Sequence, residues 1–290
     1  MDCASGFSID TRNCAMHDVP HAGQLVLLFA AVAVFAASGV FSIARLGLDR
    51  HGLRIASKAC LYGGIILGAS LLIWHAAVRQ DWVPLDDNFD AMIWLAMLLA
   101  LFLAYVQATR PLRGIDWFVT PIVIGLLIAA AVFGRTKPHD YLRTTWSWVH
   151  LVTAFGGAAA FAIAGASGAM YLIVSHRLRS KRMTPGVNFG SLERLEHLTL
   201  LAVSFGFALL TIGLVTGLVR ALHADNPLGR AWYAQPKVLL TFVAWIVYAL
   251  VLHSPINPSF RGRRTAMLSV IGFVLMIGIL IAVQWMPANK

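Results

Sequence analysis

The sequence predicts an all-α fold: a polytopic membrane helical bundle of about eight transmembrane helices. The first observation is composition, since 59% of the 290 residues are apolar and 12% are charged, whereas soluble domains have about 45–50% and about 25%. The second is that the apolar residues come in runs of about 20, which cross a hydrocarbon layer of about 30 Å as helices. These observations exclude a water-soluble globular enzyme.

Eight apolar stretches bounded by charged residues or proline are each predicted to be one span. They are residues 22–44, 58–78, 91–109, 116–134, 147–175, 197–219, 237–253 and 265–286. Residues 1–21 form a short tail without the basic start and small-residue cleavage site of a signal peptide, so the first helix is expected to insert uncleaved. The loops are too short for a soluble domain, and residues 1–290 are predicted to be a single transmembrane domain.

The distribution of charge predicts the orientation. Fourteen of the 23 basic residues follow spans one, three, five and seven: Arg45, Arg50, Arg54, Lys58, Arg110, Arg113, Arg177, Arg179, Lys181, Arg182, Arg194, Arg261, Arg263 and Arg264. Most acidic residues lie in the other loops and the N-terminal tail. The positive-inside rule then places both termini outside, and we expect the membrane to be the inner (plasma) membrane of a bacterium. Topology accounts for the net charge of +10, so no nucleic-acid partner is predicted.

Two histidines inside predicted spans are the first candidate functional residues. His75 lies one turn before Arg79 at the outer end of span two, and His150 lies one turn into span five. Both should lie about 6 Å below the outer boundary, given the rise of an α-helix. Two neutral imidazoles at matched depth on different helices are what a bis-histidine haem b requires, because iron takes axial ligands on opposite faces of the macrocycle.

The residues alone leave another interpretation open. Each histidine can instead bond a neighbouring carbonyl or lie at a wet interface, beside the tryptophans that resemble an aromatic belt: Trp74, Trp82, Trp146 and Trp148. His253 ends span seven on the inside and cannot reach the same iron, which favours an interfacial role. In the outer tail, Cys3 and Cys14 are compatible with a disulfide or with no structural role.

Other features are weaker. Five basic residues on the outer side are candidates to pair with haem propionates or are solvated loop charges: Arg79, Arg143, Arg220, Arg230 and Lys237. The glycines of span five predict close helix packing, or else room for a flat ligand: Gly156, Gly157, Gly165 and Gly168. The acidic residues of the outer loop before span three are expected to be solvated: Asp86, Asp87 and Asp90. Motifs of hydrolases and ATPases are absent from the sequence.

A resemblance to a known family rests on an ordered set of short motifs. Span six contains Leu209-Leu210-Thr211-Ile212-Gly213 and Gly217. The outer loop and the following helix contain Gly229, Trp232, Pro236, Lys237, Trp245, Tyr248 and His253, and Phe260-Arg261-Gly262-Arg263-Arg264 comes next. Upstream stand His75 and Trp148-Val149-His150. This pattern resembles the CcsA/ResC-type cytochrome c assembly proteins, in the haem-handling superfamily that includes CcmC and CcmF.

Departures from the family pattern narrow the resemblance. The family's outer loop is richer in tryptophan. The family signature has Trp, Trp, Asp and Glu at the positions that are Leu228, Ala234, Gln235 and Val238 here. No histidine follows His253. The chain is therefore most similar to the HemX/YpjD-like subgroup. The resemblance implies haem binding by His75 and His150, an inner-side role for His253, and contact of Trp232 and the basic outer residues with the porphyrin edge or its propionates.

Three hypotheses follow. The first is a protein that binds haem b between spans two and five and supports haem trafficking or cytochrome c maturation, with other assembly subunits as partners. It is expected to be a haem-handling or accessory protein more than a catalyst. The second is a non-catalytic scaffold that regulates a tetrapyrrole-pathway enzyme or a transporter and has lost the cofactor. The third is a two-haem electron-transfer cytochrome b, which only His253 supports on the inner side.

Overall fold

The computed structural model describes residues 20–47, 51–80, 82, 85, 87–109, 114–134, 145–180, 191–222, 233, 235–253 and 262–285. These residues form eight α-helices and no strand, which confirms the all-helical prediction. The helices are α1 (Ala22–Gly47), α2 (His51–Arg79), α3 (Asn88–Thr109), α4 (Asp116–Phe133), α5 (Thr145–Arg179), α6 (Leu192–Leu222), α7 (Pro236–Leu252) and α8 (Arg263–Trp285).

Seven helices are long and apolar enough to cross a membrane. The eighth, α7, is apolar but has 17 residues, at the lower limit of about 17 for a spanning helix. Its start is well defined, because Pro236 occupies the first turn, where a missing N–H costs nothing. The chain is thus a multi-span helical membrane protein.

The helices pack as two groups of four in chain order. In the first group, α1 and α3 each pack against α2 and α4; in the second, α5 and α7 each pack against α6 and α8. The groups meet where α5 contacts α3 and α4. As a result α3 and α5 are the most buried helices, and the other spans turn more of their apolar surface outward. His75 and His150 therefore belong to different groups.

Small residues let α5 approach its neighbours closely. A Cβ added at Gly168 would lie 2.9 Å from the carbonyl oxygen of Ala266 in α8, and one at Gly165 would lie 2.6 Å from the Phe273 side chain. Both distances are too short for a carbon contact. The packing interpretation of the span-five glycines is confirmed at these two positions.

A buried ionic group joins three helices of the first group at its inner end. The Asp116 carboxylate, at the start of α4, accepts hydrogen bonds from Ser42 Oγ (2.6 Å) and Arg45 Nη2 (2.9 Å) of α1, and from Gln107 Nε2 (3.1 Å) of α3. The sequence identified Arg45 only as an inner-side charge. Its ion pair with Asp116 fixes the ends of α1, α3 and α4 relative to one another.

Replacing Asp116 by Ala should destabilise the fold. The change leaves Arg45 and Gln107 without their acceptor, and breaking a buried ion pair costs about 3–5 kcal/mol, reduced here because the Arg45 side chain is 16% exposed. Thermal unfolding in detergent measures the effect. The control is Glu193→Ala, which removes an exposed acidic residue from the first turn of α6 and should cost less than about 1 kcal/mol. Equal stability of the two variants would contradict this role for Asp116.

Candidate functional site

His75 lies in the last turn of α2, and its imidazole is enclosed by the beginning of α3. The residue is 2% exposed, its Nε2 lies 2.7 Å from Asp87 Oδ2, and its ring packs against Phe89 with centroids 5.0 Å apart. Gln80 and Leu85, between α2 and α3, both have positive φ. The chain reverses direction between these helices, which brings Asp87 into contact with a residue twelve positions earlier.

Asp87 has a second role as the N-cap of α3. Its Oδ1 accepts the backbone N–H of Asp90 at 2.6 Å, the side chain to third-residue bond that stabilises helix starts. Asp90 in turn accepts the backbone N–H of Leu85 at 2.8 Å. Arg79 Nη1 donates to Asp87 Oδ2 at 3.1 Å. One carboxylate thus joins the end of α2 to the start of α3.

The expectation that these acids are solvated is wrong for two of them. Asp87 is 0% exposed and Asp90 3% exposed, because each serves backbone donors that the turn would otherwise bury unpaired. A signal was present in the sequence: acidic residues three positions apart, directly before an apolar run, are typical of a capped helix start. Asp86 lies outside the described residues.

One nitrogen of His75 has no hydrogen-bond partner among the described residues. Its Nδ1 is buried and makes no hydrogen bond within the part of the chain that the structure describes. An unpaired polar atom in such a position costs about 1–3 kcal/mol. Buried polar atoms without partners are uncommon, and their presence points to a ligand or to a catalytic or redox role.

His150 lies in the second turn of α5 and is held by α6. Its Nδ1 lies 2.7 Å from the carbonyl oxygen of Gly213, so Nδ1 carries a proton that it donates to this carbonyl. The ring lies over Gly217, where an added Cβ would be 3.0 Å from His150 Cε1. An added Cβ at Gly213 would be 3.2 Å from Thr153 Oγ1. The two glycines of the span-six motif therefore let α5 and α6 come close enough to hold this ring.

The other motif residues form the walls of the second group. Trp245 Nε1 donates to Thr211 Oγ1 at 3.1 Å and contacts the ring of Phe207, 5.3 Å away. Tyr248 is fully buried and stacks on Phe161 with centroids 3.6 Å apart. These contacts give the motif a packing role between α6, α7 and α5.

His253 caps the end of α7 and is exposed. Its Nδ1 lies 2.8 Å from the carbonyl oxygen of Ala249 in the preceding turn. Successive spans alternate in direction, so His253 lies at the end of the bundle opposite to His75 and His150. The sequence predicts that this end is the inner one.

Several predicted site residues fall outside this description. Among the basic candidates, Arg79 binds Asp87. Residues outside the described ranges are Arg143, Arg230 and Trp232, together with Cys3 and Cys14. The side chains of Arg220 and Lys237 are likewise not described, although both residues belong to helices. Their roles stay predictions.

The arrangement of both histidines suits metal ligation. A histidine that ligates a metal uses one ring nitrogen and donates the other N–H to a carboxylate, a carbonyl or water, which fixes the tautomer. His150 meets this requirement with the Gly213 carbonyl, and His75 meets it with the Asp87 carboxylate. The sequence left open that each histidine bonds a carbonyl and does not ligate a metal. Because each ring has two nitrogens, a bond to a carbonyl is compatible with ligation through the other nitrogen.

Comparison with known proteins gives concordant results. The sequence model of the family described as "Cytochrome C assembly protein" matches residues 60–288. The protein named cytochrome c biogenesis protein CcsA from Guillardia theta is 26% identical over 243 residues, which are 75% of this chain and 77% of the relative. CcsA of Prochlorococcus marinus subsp. pastoris (MED4) is 30% identical over 232 residues, covering 70% of this chain and 72% of the relative.

A solved structure shares the fold. The cytochrome c heme lyase CcmF superposes with a TM-score of 0.64 at 13% sequence identity. The match covers 96% of this chain and 48% of the CcmF chain, so this chain spans about half the length of that protein. At this identity the likeness concerns the fold alone.

A larger side chain at Gly217 should displace His150. The Cβ and methyl groups of Gly217→Val would occupy the space of the imidazole, and overpacking of this kind costs about 1–3 kcal/mol. Thermal unfolding in detergent measures the loss. The matched control is Gly125→Val, at a helical glycine with nothing within 4 Å of an added Cβ, and it should leave the midpoint unchanged. Equal midpoints for the two variants would refute close contact between His150 and α6.

Proposed function

The chain belongs to the cytochrome c assembly protein family, and from that premise we propose that it handles haem in the membrane during cytochrome c maturation. The observation that carries this proposal is that His75 and His150 both have one ring nitrogen bonded to a fixed acceptor, as metal-ligating histidines do. The similar proteins are named as a cytochrome c biogenesis protein, CcsA, and a cytochrome c heme lyase, CcmF.

In this proposal His75 and His150 would hold one haem b through their imidazole rings. The two residues are on α2 and α5, which belong to different helix groups, so a haem held by both would join the two groups. Both residues lie near the predicted outer ends of their helices. These positions support a haem site at matched depth, which stays part of the proposal.

The chain's own residues would orient the ligands and exclude water. Gly213 and Gly217 hold the His150 ring, and Asp87 and Phe89 hold the His75 ring. Haem, when bound, supplies a redox-active iron whose potential depends on its ligands and its surroundings. Trp232, Arg143, Arg220, Arg230 and Lys237 are proposed to contact the porphyrin edge or the propionates, as is Arg79.

The finer assignments belong to the same proposal. We place the protein in the inner membrane of a bacterium, with His253 contacting haem on the inner side and other cytochrome c assembly subunits as partners. We also propose that the chain belongs to the HemX-like subgroup, because its outer loop is poor in tryptophan. If the protein does not bind haem, we infer instead that it is a scaffold for a tetrapyrrole-pathway enzyme.

The reduced-minus-oxidised absorption spectrum of the detergent-purified protein tests the proposal. Protein expressed with ample haem should have a low-spin b-type band, and His75→Ala and His150→Ala should each abolish it, because one axial ligand is lost. The control is His51→Ala, at an exposed histidine at the start of α2, which should leave the band intact.

Three results would count against the proposal in different ways. A folded protein without any haem band would refute haem binding and favour the scaffold. A band that survives both substitutions would refute the ligand assignment alone. Loss of about half the band in His253→Ala would indicate a second haem at the inner side.

A further inference from the structure

We propose that the end of the bundle where α8 begins binds an anionic phospholipid, with the phosphate between Arg179 and Arg263 and an acyl chain along the exposed face of α8. The site is separate from His75 and His150 and does not depend on the proposed function. It gives a role to the basic motif around Gly262, which the haem proposal leaves unused.

The first step concerns the face that α8 turns away from the other described helices. Met267, Ile271 and Val274 are exposed, and at about 100° per residue they form one narrow stripe along the helix. The opposite face packs against α5 at Ala266 and against α7 at Gly272. In a membrane, lipid tails therefore lie against the stripe.

The second step concerns the residue that begins this stripe. Arg263 is the first residue of α8, lies one turn before Met267 on the same face, and is exposed. An arginine at the end of a lipid-facing stripe places its charge at the level of the lipid headgroups. The first turn of α8 has no acidic residue, so this charge opposes the helix dipole without a local counterion. An anionic headgroup would neutralise it.

The third step concerns the second arginine, which α5 supplies. Gly168 of α5 lies against Ala266 of α8, and the two helices run in opposite directions. From Tyr171, level with the start of α8, α5 continues for eight residues, about 12 Å, to the exposed Arg179. Helical side chains lean toward the N-terminus of their own helix, so Arg179 leans toward the start of α8 and Arg263 leans toward the end of α5.

The backbone holds the two arginines in this relation. Gly262 has a φ of +73°, in the left-handed region that glycine adopts without strain. A Cβ added there would lie 2.6 Å from Tyr171 Oη, so the turn before Arg263 is pressed against α5. The charge of Arg179 acts on the Tyr171 hydroxyl, as does that of Glu196 from α6. The corner between α5 and α8 is thus a fixed feature of the fold.

The chemistry of this corner selects an anionic lipid. Neither α5 nor α8 contains an acidic residue, so the helices that form the corner offer no carboxylate of their own. Arginine binds phosphate through charge-assisted and often bidentate hydrogen bonds, and basic pockets between membrane helices bind anionic headgroups. A free phosphate or an acidic protein segment would match the arginines but not the apolar stripe that continues from them.

Native mass spectrometry of the full-length protein in detergent, with added phosphatidylglycerol or phosphatidylcholine, tests the site. The wild type should bind phosphatidylglycerol more tightly. A basic residue at the membrane surface contributes about five-fold to the binding of anionic lipid. Arg179→Gln and Arg263→Gln should therefore each weaken phosphatidylglycerol binding by about five-fold and leave phosphatidylcholine binding unchanged. The control is Arg194→Gln, at an exposed arginine of α6 at the same end of the bundle, which should bind as the wild type does.

Three results would overturn the proposal. The first is unchanged phosphatidylglycerol binding in both Arg179→Gln and Arg263→Gln. The second is an equal loss in Arg194→Gln, which would mean that the lipid responds to the total charge of this end and not to the corner. The third is displacement of the lipid by inorganic phosphate at the same concentration, because a lipid held also by its acyl chain should resist it.

Photo-cross-linking locates the lipid independently of its affinity. Phosphatidylglycerol with a diazirine in its acyl chain, in vesicles that contain the full-length protein, should label α8 between Met267 and Val274. Arg263→Gln should reduce this labelling and leave the labelling of other helices unchanged. Equal labelling of the stripe by the matching phosphatidylcholine probe would overturn the proposal, because it would show that any lipid occupies this face.

Discussion

Hydrogen bonds from polar side chains to partners inside the bundle determine how these helices are arranged. A hydrocarbon layer offers no alternative partner, so each buried polar group must be satisfied by another part of the protein. Asp116 is satisfied by α1 and α3, Asp87 by α2 and by the backbone of α3, and His150 by α6. The bonds of Asp116 and Asp87 fix helix ends relative to one another, and the bond of His150 joins the beginning of α5 to α6 at Gly213.

The two helix groups meet this constraint by different means. In the first group, charged side chains at both ends pair with one another, and the interior between them is mostly apolar. In the second group, small residues bring backbones together, and a backbone carbonyl accepts from His150. The candidate haem ligands thus have supports of different chemistry, a carboxylate for His75 and a carbonyl for His150.

The helices could be predicted from the sequence because hydropathy is a local property. A run of about 20 apolar residues requires a helix in a membrane whatever surrounds it. The family motifs likewise identified Gly213, Gly217 and Trp245, although their contacts to His150 and Thr211 emerged only in three dimensions. The sequence therefore predicts the fold class, but it does not predict the contacts that form the candidate site.

The partners of the site residues could not be predicted in the same way. His150 and Gly213 are 63 positions apart, and Arg45 and Asp116 are 71 apart, so no local pattern joins them. Asp87 is only twelve positions from His75. The sequence nevertheless predicts a solvated loop here, because acidic residues between spans are usually solvated. The spacing of Asp87 and Asp90 indicated a helix cap, and a cap at the end of a buried turn is itself buried.

The central claim is that His75 and His150 hold one haem while Asp87 and Gly213 orient them. The most direct test is an experimental structure of the haem-loaded protein at a resolution that distinguishes the ring nitrogens' positions. We expect that His75 and His150 would both hold the haem, with the Asp87 and Gly213 hydrogen bonds retained. Iron bound by other residues, with both histidines still bonded only to protein, would contradict it.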